Sequence, residues 1–266
     1  MPLRDRIARS STRRGRYAPG SMRTVILCGG RGTRAYPSTL EVPKPLLEVG
    51  DQPVLAHLMG IYAAQGYTDF VLAAGYKHDQ ITAFAANLPT AWDVDVVDTG
   101  TDTNTGGRVR RVADQVGPEF FLTYADGLGN VDLAGLLAFH RSHGAAATLT
   151  TVPLPSQYGT LDVDAAGRVH GFREKPRLYD HHINAGFFVF DQRAFDLWPD
   201  PGEDLEREVL PVLGEADQLF AFRHLGFWRS MDTYKDTVDL GAMCAEGPGP
   251  WLDVPGRPYE PPHAMG

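Results

Sequence analysis

Short apolar runs alternate with amphipathic segments between residues 24 and 152, and this alternation constrains the fold more than any other feature. Runs rich in β-branched and aromatic residues predict buried strands at residues 24–28, 70–74, 92–97, 120–124 and 146–152. The segments between them predict helices at residues 53–65, 78–87 and 132–143. Because alternating strands and helices build parallel sheets with helices on both faces, we predict a three-layer α/β/α domain. Ligands of such sheets bind beyond the carboxyl ends of the strands.

The pattern changes after residue 153. Two short runs at residues 161–163 and 168–174 predict a hairpin. Further strands are predicted at residues 183–191 and 219–223, and helices at residues 205–213, where Pro211 disturbs the helix, and 233–244. We therefore expect the central sheet to be mixed but mainly parallel, with a small β-rich subregion beside it.

The ends of the chain differ from its body, and we expect one domain over residues 22–246. Residues 1–21 hold six arginines and a single acid, whereas the whole chain has a net charge of −8. The acidic body makes nucleic acid a poor partner. The basic segment could be a targeting segment or a nucleic-acid arm, but we favour a disordered or vector-derived extension. The tail, residues 247–266, is rich in proline and glycine and is expected to wrap or dangle without building core.

The cysteine content and the hydropathy pattern bear on the compartment. Cys28 and Cys244 are the only two cysteines, which gives no disulfide framework and favours the reducing cytoplasm. No apolar run approaches membrane-spanning length, so no membrane partner is expected. No basic residue near Cys28 in the sequence could activate its thiol, and we expect this residue to pack in the core.

A glycine-rich loop follows the first predicted strand, where Leu27 and Cys28 lead into Gly29, Gly30 and Gly32, with Thr33 and Arg34 next. Glycines allow a sharp turn and a close approach of backbone N–H groups to anionic oxygens. The guanidinium of Arg34 suits phosphate. The loop therefore predicts a phosphate-rich ligand.

Lysine is rare in this chain, which makes the position of Lys44 informative. Only four lysines occur: Lys44, Lys77, Lys175 and Lys235. Lys44 stands between Pro43, which fixes the backbone before it, and Pro45, which favours an extended conformation of Lys44 itself, so its ammonium should be directed with little local freedom. Lys175 also precedes a proline, in Glu174-Lys175-Pro176. Both lysines are candidates for a compact positive charge at a binding site.

Two aspartates follow hydrophobic strands far apart in the sequence. Asp126 follows the strand at residues 120–124, and Asp232 follows residues 226–230. If both strands join one sheet, these carboxylates meet at its carboxyl edge. Since Mg²⁺ is held by one or two carboxylates plus substrate phosphates, the pair predicts a nucleotide with Mg²⁺. Arginines in the first turns of a predicted helix at residue 105, which the helix dipole disfavours, point to an anionic partner or to a solvated basic face.

These motifs, in this order, resemble the sugar-1-phosphate nucleotidylyltransferase family. The resemblance runs from Arg23 to Leu240. Several further segments resemble the glucose-1-phosphate cytidylyltransferase branch: Val97-Asp98-Thr99-Gly100, Thr105-Gly106-Gly107-Arg108, Gly186-Phe187-Phe188-Val189 and Gly226-Phe227-Trp228. The resemblance implies a Rossmann-like fold, with the β-rich subregion on the sugar side, and a homo-oligomer.

The resemblance also assigns roles to residues. It implies that Mg²⁺ binds Asp126 and Asp232. The implied nucleotide contacts are Leu27, Gly29, Gly30, Gly32, Thr33, Arg34, Lys44, Arg108 and Tyr124, with Arg34 on the leaving pyrophosphate and Lys44 on the α-phosphate. The implied sugar-phosphate contacts are Glu174, Lys175 and Asn184, with Tyr124 also on the sugar side. The catalytic set is then Arg34, Lys44, Asp126, Lys175 and Asp232.

The implied reaction is in-line attack of a sugar-phosphate oxygen on the α-phosphorus of a nucleoside triphosphate, with release of pyrophosphate. CTP and glucose 1-phosphate are the favoured substrates. UTP, dTTP or GTP, and a modified sugar phosphate of a secondary-metabolite pathway, remain alternatives, since Ala125 and Ala185 replace glycines usual in the branch and only Leu88 to Ala91 separate Asn87 from Trp92. From other classes, a glycosyltransferase and a non-catalytic nucleotide-sensing subunit remain open.

His140 and His143 are three residues apart on a predicted helix, a spacing that can bind a metal ion. Because the sequence shows no third ligand, we expect them to serve helix packing or to lie on the surface.

Overall fold

The computed structural model describes residues 22–245 and 247–253. The expectations for residues 1–21 and for most of the tail lie outside the described residues. In chain order the elements are β1 (Arg23–Leu27), β2 (Glu48–Val49), β3 (Gln52–Pro53), α1 (Val54–Ala63), β4 (Asp69–Ala74), α2 (His78–Ala85), β5 (Asp93–Asp98), α3 (Thr105–Arg111), β6 (Glu119–Tyr124), β7 (Gly127–Gly129), α4 (Leu133–His143), β8 (Ala147–Pro155), β9 (Thr160–Val163), β10 (Val169–Arg173), β11 (Arg177–Asp191), a π-helical turn (Leu205–Val209), α5 (Leu210–Glu215), β12 (Leu219–Arg223), β13 (Trp228–Ser230) and α6 (Tyr234–Ala245).

Seven strands form the central sheet, in the order β12-β8-β11-β6-β1-β4-β5. β11 runs antiparallel to its neighbours β6 and β8, and the other pairs are parallel. The predicted mixed, mainly parallel sheet is therefore confirmed. The carboxyl ends of β1 and β6 lie side by side, because Leu27 pairs with Tyr124. The glycine loop and Asp126 consequently start from the same edge of the sheet.

Hydrophobic side chains cover both faces of this sheet. Along β6, Phe120 and Leu122 belong to the core on one face, and Phe121 belongs to the core on the other. This alternation is the period of two expected of a strand. All three side chains are fully buried, so β6 is anchored from both sides, and the loop that carries Asp126 starts from a rigid support.

Helix ends follow the local sequence. The Asp132 side chain accepts a hydrogen bond from the backbone N–H of Gly135 at 2.9 Å and caps the start of α4. Gly144, at a φ of 67°, ends the same helix in the left-handed conformation. The helix disturbance predicted at Pro211 is seen: the segment begins as the π-helical turn Leu205–Val209 and continues as the α-helix α5, in which Pro211 is the second residue.

The hairpin predicted in the β-rich subregion is confirmed as the antiparallel pair of β9 and β10. The sequence did not predict the short pairs of β2 with β3 and of β7 with β13. β11 is also longer than predicted, since it begins at Arg177 and shows two register shifts against β8. The pair of β7 and β13 matters for function, because it brings the segments after β6 and before α6 together.

The expectation that the tail builds no core is wrong for its first residues. Pro250–Leu252 form a 3₁₀ turn, and Trp251 is 1% exposed. Its indole packs edge-on against the ring of His57, at 5.1 Å between centroids, and against Phe227 at 5.9 Å. A single large aromatic side chain thus ties the segment to the core despite its surrounding prolines and glycines.

Candidate active site

The glycine loop turns at Gly32, which has a φ of 62°. A Cβ atom at this position would lie 2.7 Å from the Cβ of Lys44, so only glycine fits both the backbone conformation and the space. The Thr39 hydroxyl donates a hydrogen bond to the carbonyl of Gly32 at 3.2 Å. The loop is therefore packed directly against the segment that carries Lys44.

Lys44 lies between the two predicted metal ligands. The residue is 8% exposed, and its Nζ is 2.5 Å from Asp126 Oδ2 and 3.1 Å from Asp232 Oδ1. Pro43 is extended, but the extended conformation predicted for Lys44 is wrong, because Lys44 opens a short 3₁₀ turn. Asp126 and Asp232 approach the same ammonium, as expected, but not because their strands join one sheet: β13, which leads to Asp232, lies outside the central sheet and pairs with β7.

The environment of Asp232 contains further positive charge. Arg34 Nη1 lies 2.9 Å from Asp232 Oδ1, although the Arg34 side chain is largely exposed. The Ser230 hydroxyl donates to the other carboxylate oxygen at 2.9 Å. Burial alone would raise the pKa of Asp232, but Lys44 outweighs this effect, with help from Ser230 and Arg34, so the pKa is lowered. Asp232 is therefore charged over the physiological pH range.

A cavity of about 570 Å³ opens in front of these groups, a volume within the range of ligand sites. Its lining includes the glycine loop, Lys44, Asp126, residues 103–105, Tyr124 and Glu206. A smaller cavity of about 180 Å³ adjoins it, with Gly186 and Trp228 in its lining. Tyr124, Asn184, Arg34 and Asp126 border both cavities.

Arg108 borders the larger cavity but is engaged with the protein. It is 3% exposed. Its Nη1 donates to Thr99 Oγ1 at 2.6 Å, and its Nη2 donates to the carbonyl of Gly29 at 2.9 Å. Burial is the main cause of its lowered pKa. Arg108 therefore holds the glycine loop through the Gly29 carbonyl. Its contact with a nucleotide stays a prediction.

The other two arginines of α3 also find partners within the chain. Arg110 Nη1 donates to the carbonyl of Pro201 at 3.1 Å. Arg111 donates to the carbonyl of Thr99 and to the Thr103 hydroxyl. Arg110 and Arg111 are exposed, as the interpretation of a solvated basic face predicted, although both also donate to loop carbonyls. An anionic ligand for these arginines stays a prediction.

Tyr124 and Asn184, predicted from the resemblance, meet a residue that the sequence did not single out. Asn184 Nδ2 donates to the Tyr124 hydroxyl at 3.2 Å, and this hydroxyl donates to Glu206. Thr105 Oγ1 donates to the second oxygen of Glu206 at 2.8 Å. Glu206 lies among other acids in a helical segment, so nothing in the sequence distinguished it; only the packing of the π-helical turn reveals it.

Two predicted sugar-phosphate residues stand apart from the cavities. Glu174 and Lys175 are exposed, and within the described chain their charge contact is with each other, 3.8 Å apart. Neither is in the lining of the two cavities. The structure brings Asn184 to the site but leaves this pair at the end of β10, so their role stays a prediction.

His140 and His143 pack against the sheet, as expected. His140 is 2% exposed, and its Nδ1 lies 2.9 Å from Thr148 Oγ1. His143 Nε2 lies 2.8 Å from the same oxygen. Burial, with a smaller contribution from His143, lowers the pKa of His140 to about 4. Cys28 is likewise a core residue, and burial raises the pKa of its thiol to about 12, which removes it as a nucleophile at neutral pH.

The donor set of Asp126 and Asp232 fits Mg²⁺. Both offer hard carboxylate oxygens at one point, and substrate phosphates complete such sites in other proteins. Among the described residues, no group of three or more His, Cys, Asp or Glu side chains could hold a metal ion alone. A site completed by the substrate is consistent with both observations.

Within the described ranges, no helix is long and apolar enough to cross a membrane.

Comparison with known proteins identifies the family. The nucleotidyl transferase family model matches residues 23–254, and the chain therefore belongs to this family. A glucose-1-phosphate cytidylyltransferase of Salmonella typhi is 38% identical over 254 residues, which cover 86% of this chain and 98% of that protein. A probable glucose-1-phosphate cytidylyltransferase of Bacillus subtilis is 38% identical over 86% of this chain and 99% of its own length. The chain is thus a nucleotidyltransferase of the cytidylyltransferase branch, which confirms the resemblance seen in the sequence.

Solved structures agree on the fold. HddC from Yersinia pseudotuberculosis, complexed with GMP-PN, aligns with a TM-score of 0.65 at 22% identity over 83% of this chain and 98% of that one. A putative glucose-1-phosphate thymidylyltransferase from Bacillus anthracis aligns with a TM-score of 0.62 at 18% identity, over 90% of this chain and 98% of its own. At these identities the likeness supports the Rossmann-like architecture alone.

Proposed function

We propose that this protein transfers a cytidylyl group from CTP to glucose 1-phosphate in a Mg²⁺-dependent reaction, which yields CDP-glucose and pyrophosphate. The observation that carries the proposal is the placement of Lys44 between Asp126 and Asp232, beside a glycine loop at the mouth of a nucleotide-sized cavity. The two relatives named as glucose-1-phosphate cytidylyltransferases support CTP and glucose 1-phosphate as the substrates.

The chemistry requires positioning and neutralisation of charge. An anionic oxygen of the sugar phosphate attacks the α-phosphorus, and the bond between this phosphorus and the bridging oxygen of pyrophosphate breaks. The bonding electrons leave with pyrophosphate, so no protein nucleophile takes part. Effective molarity and electrostatic stabilisation account for the acceleration in such transfers.

The residues of this chain supply both effects. Backbone N–H groups of the glycine loop hold the phosphate chain, and Arg34 offers its exposed guanidinium to the leaving pyrophosphate. The ammonium of Lys44, buried and fixed, contacts the α-phosphate. Mg²⁺, when bound by Asp126 and Asp232, neutralises phosphate charge. Lys44 balances the same two carboxylates in the structure without ligands, which keeps them side by side.

The smaller cavity suits the sugar phosphate. It adjoins Asp126 and Asp232, and Gly186 and Trp228 line it. The Trp228 indole donates to the carbonyl of Ala185 at 2.8 Å, which fixes the wall. In this proposal Glu174 and Lys175 reach the sugar phosphate from the exposed hairpin of β9 and β10.

We also propose that the protein is located in the cytoplasm and forms a homo-oligomer. Cys28 and Cys244 are both free thiols, which suits a reducing compartment.

Four large apolar side chains of the β9–β10 hairpin are about half exposed or more: Leu161, Val163, Val169 and Phe172. An isolated two-stranded hairpin is only marginally stable, so a second copy that covers this face is consistent with its composition.

A matrix of nucleotides against sugar 1-phosphates tests the function. CTP, UTP, dTTP, GTP and ATP are each paired with glucose, mannose and galactose 1-phosphates, and pyrophosphate release is measured with and without Mg²⁺. The highest kcat/KM is expected for CTP with glucose 1-phosphate, and only with Mg²⁺ present.

Other results of the same matrix contradict the proposal. Pyrophosphate release that is fastest with another pair assigns a different substrate to the same chemistry. No release with any pair, while CTP still binds, indicates a nucleotide-sensing protein. If no pair releases pyrophosphate, a separate assay in which glucose is transferred from ready-made CDP-glucose indicates a glycosyltransferase.

A further inference from the structure

A carboxylate to which the proposed phosphate and metal contacts assign no role borders the larger cavity. Glu206 belongs to the π-helical turn Leu205–Val209 and borders this cavity. Single π turns within helices occur frequently at functional sites. One of its oxygens accepts a hydrogen bond from the Tyr124 hydroxyl, and the other accepts one from Thr105 Oγ1 at 2.8 Å.

The directions of these hydrogen bonds are fixed by their neighbours. The backbone N–H of Leu205 donates to Thr105 Oγ1 at 3.0 Å, so the Thr105 hydroxyl hydrogen points to Glu206. Asn184 Nδ2 donates to the Tyr124 oxygen in the same way. Burial, followed by the charge of Glu206, raises the pKa of Tyr124 far above its ordinary value, so Tyr124 remains a donor. Two donors therefore hold the carboxylate in one orientation.

The charge of Glu206 is not balanced by a cation. Within the described part of the chain, no Lys, Arg or His nitrogen forms a charge contact with it, and the adjacent Arg207 pairs with Asp204. Each carboxylate oxygen has two lone pairs, so acceptor capacity remains after the bonds to Tyr124 and Thr105. An unbalanced carboxylate repels phosphate, and it therefore suits a neutral hydrogen-bond donor of the ligand.

Resting on the proposed nucleotidyl transfer, we infer that Glu206 determines specificity by accepting hydrogen bonds from hydroxyl groups of a substrate ring. Its partner Tyr124 borders both cavities, together with Asn184. The ring is either the ribose of the nucleotide, in the larger cavity, or the hexose, which enters from the smaller one. Glu206 thus extends the site beyond the phosphate and metal ligands.

Analogues that lack single hydroxyl groups test this role. CTP is compared with 2′-deoxy-CTP and 3′-deoxy-CTP, and glucose 1-phosphate with its 2-deoxy, 3-deoxy, 4-deoxy and 6-deoxy analogues. Wild-type kcat/KM should fall about 10- to 100-fold for the analogue that lacks the contacted hydroxyl, because hydrogen bonds to charged groups are strong. In Glu206→Gln and Glu206→Ala the same analogue should lose less than about threefold, because the discriminating acceptor is gone or weakened.

The controls separate specificity from folding and from the proposed function. Glu215→Gln removes an exposed carboxylate at the end of α5 and should keep the wild-type discrimination. Melting temperatures of the ligand-free variants verify folding. Loss of discrimination in the Glu206 variants, either among the CTP analogues (the ribose arm) or among the glucose 1-phosphate analogues (the hexose arm), supports the inference and identifies the ring that Glu206 contacts. Unchanged discrimination in both arms, or none in the wild type, overturns it. Absence of pyrophosphate release in the wild type contradicts the proposed function instead.

Discussion

The ammonium of Lys44 lies 2.5 Å from a carboxylate oxygen of Asp126, although 82 residues separate the two in the sequence. Asp232, much further along the chain, approaches the same nitrogen at 3.1 Å. The prolines around Lys44, the parallel neighbours β1 and β6, and the pairing of β7 with β13 produce this arrangement together. A buried cation is thereby held between two acids in the lining of the cavities.

Replacement of Lys44 should affect the rate more than binding. In Lys44→Met we expect kcat to fall about 100- to 1,000-fold, because a fixed charge that stabilises the transition state is lost. The KM for CTP should change much less. Steady-state kinetics measures both values. Lys235→Met, at an exposed lysine of α6, is the matched control and should resemble the wild type. A large rise in KM with unchanged kcat would make Lys44 a docking contact.

Replacement of Asp126 should abolish the Mg²⁺-dependent reaction. In Asp126→Asn one of two charged oxygen ligands is lost, so both turnover and the binding of Mg²⁺ in the presence of CTP should weaken strongly. Calorimetry of Mg²⁺ binding gives a readout that does not depend on activity. Wild-type turnover in this variant would refute the assignment of Asp126 as a metal ligand.

Replacement of Gly29 should displace Arg108. A Cβ atom at Gly29 would collide with the Arg108 guanidinium, which binds the Gly29 carbonyl. We expect the melting temperature of ligand-free Gly29→Ala to fall by several degrees, since overpacking costs about 1–3 kcal/mol. At Gly30 a Cβ atom would meet nothing within 4 Å, so Gly30→Ala should melt like the wild type. Equal melting temperatures of the two variants would show that Arg108 does not support the loop.

The role of Arg108 shows what the sequence could not provide. The glycine loop, Lys44 and both aspartates were predicted because each stands at a strand end or between prolines. The predicted contact of Arg108 with a nucleotide stays a prediction, but the sequence did not reveal its partners within the chain, which include the carbonyls of Ala74 and Gly29, 34 and 79 residues away. Glu206 was missed for a similar reason, since its position depends on a π-helical turn that packs against Thr105 and Tyr124.

The tail illustrates a second limit. The proline and glycine content predicted a segment outside the core. An average composition does not show that a single large aromatic side chain can anchor such a segment in the core. Trp251 fits between His57 and Phe227. By contrast, the alternation of strands and helices predicted the sheet well, because strand burial on both faces leaves a strong periodic signal in the sequence.

Trp251→Ala should destabilise the domain. Loss of this buried indole is expected to lower the free energy of unfolding by about 3–5 kcal/mol. Urea denaturation followed by circular dichroism measures the change. Leu252→Ala is the control, because Leu252 is 42% exposed and its truncation should cost much less. Similar stability of both variants would contradict the packing of Trp251 in the core.

His140 should make stability depend on pH. Its pKa is lowered to about 4 in the folded protein by burial, with a smaller effect of His143, whereas an unfolded histidine titrates near 6.5. The unfolded state therefore binds more protons between these values, and the His140 contribution to stability is present above pH 6.5 and lost as the pH falls toward 4. In His140→Gln, unfolding curves between about pH 4 and 7 should show a weaker pH dependence than the wild type. An unchanged slope would show that His140 does not titrate differently on folding.

The fate of the α-phosphorus of CTP tests most directly whether the cytidylyl group is transferred to glucose 1-phosphate. CTP labelled at the α-phosphorus is incubated with glucose 1-phosphate, Mg²⁺ and the wild-type protein, and products are separated and counted. We predict that the label appears in CDP-glucose in amounts equal to the pyrophosphate released. Label that remains in CTP, or that appears in CMP without a nucleotide sugar, would contradict the account.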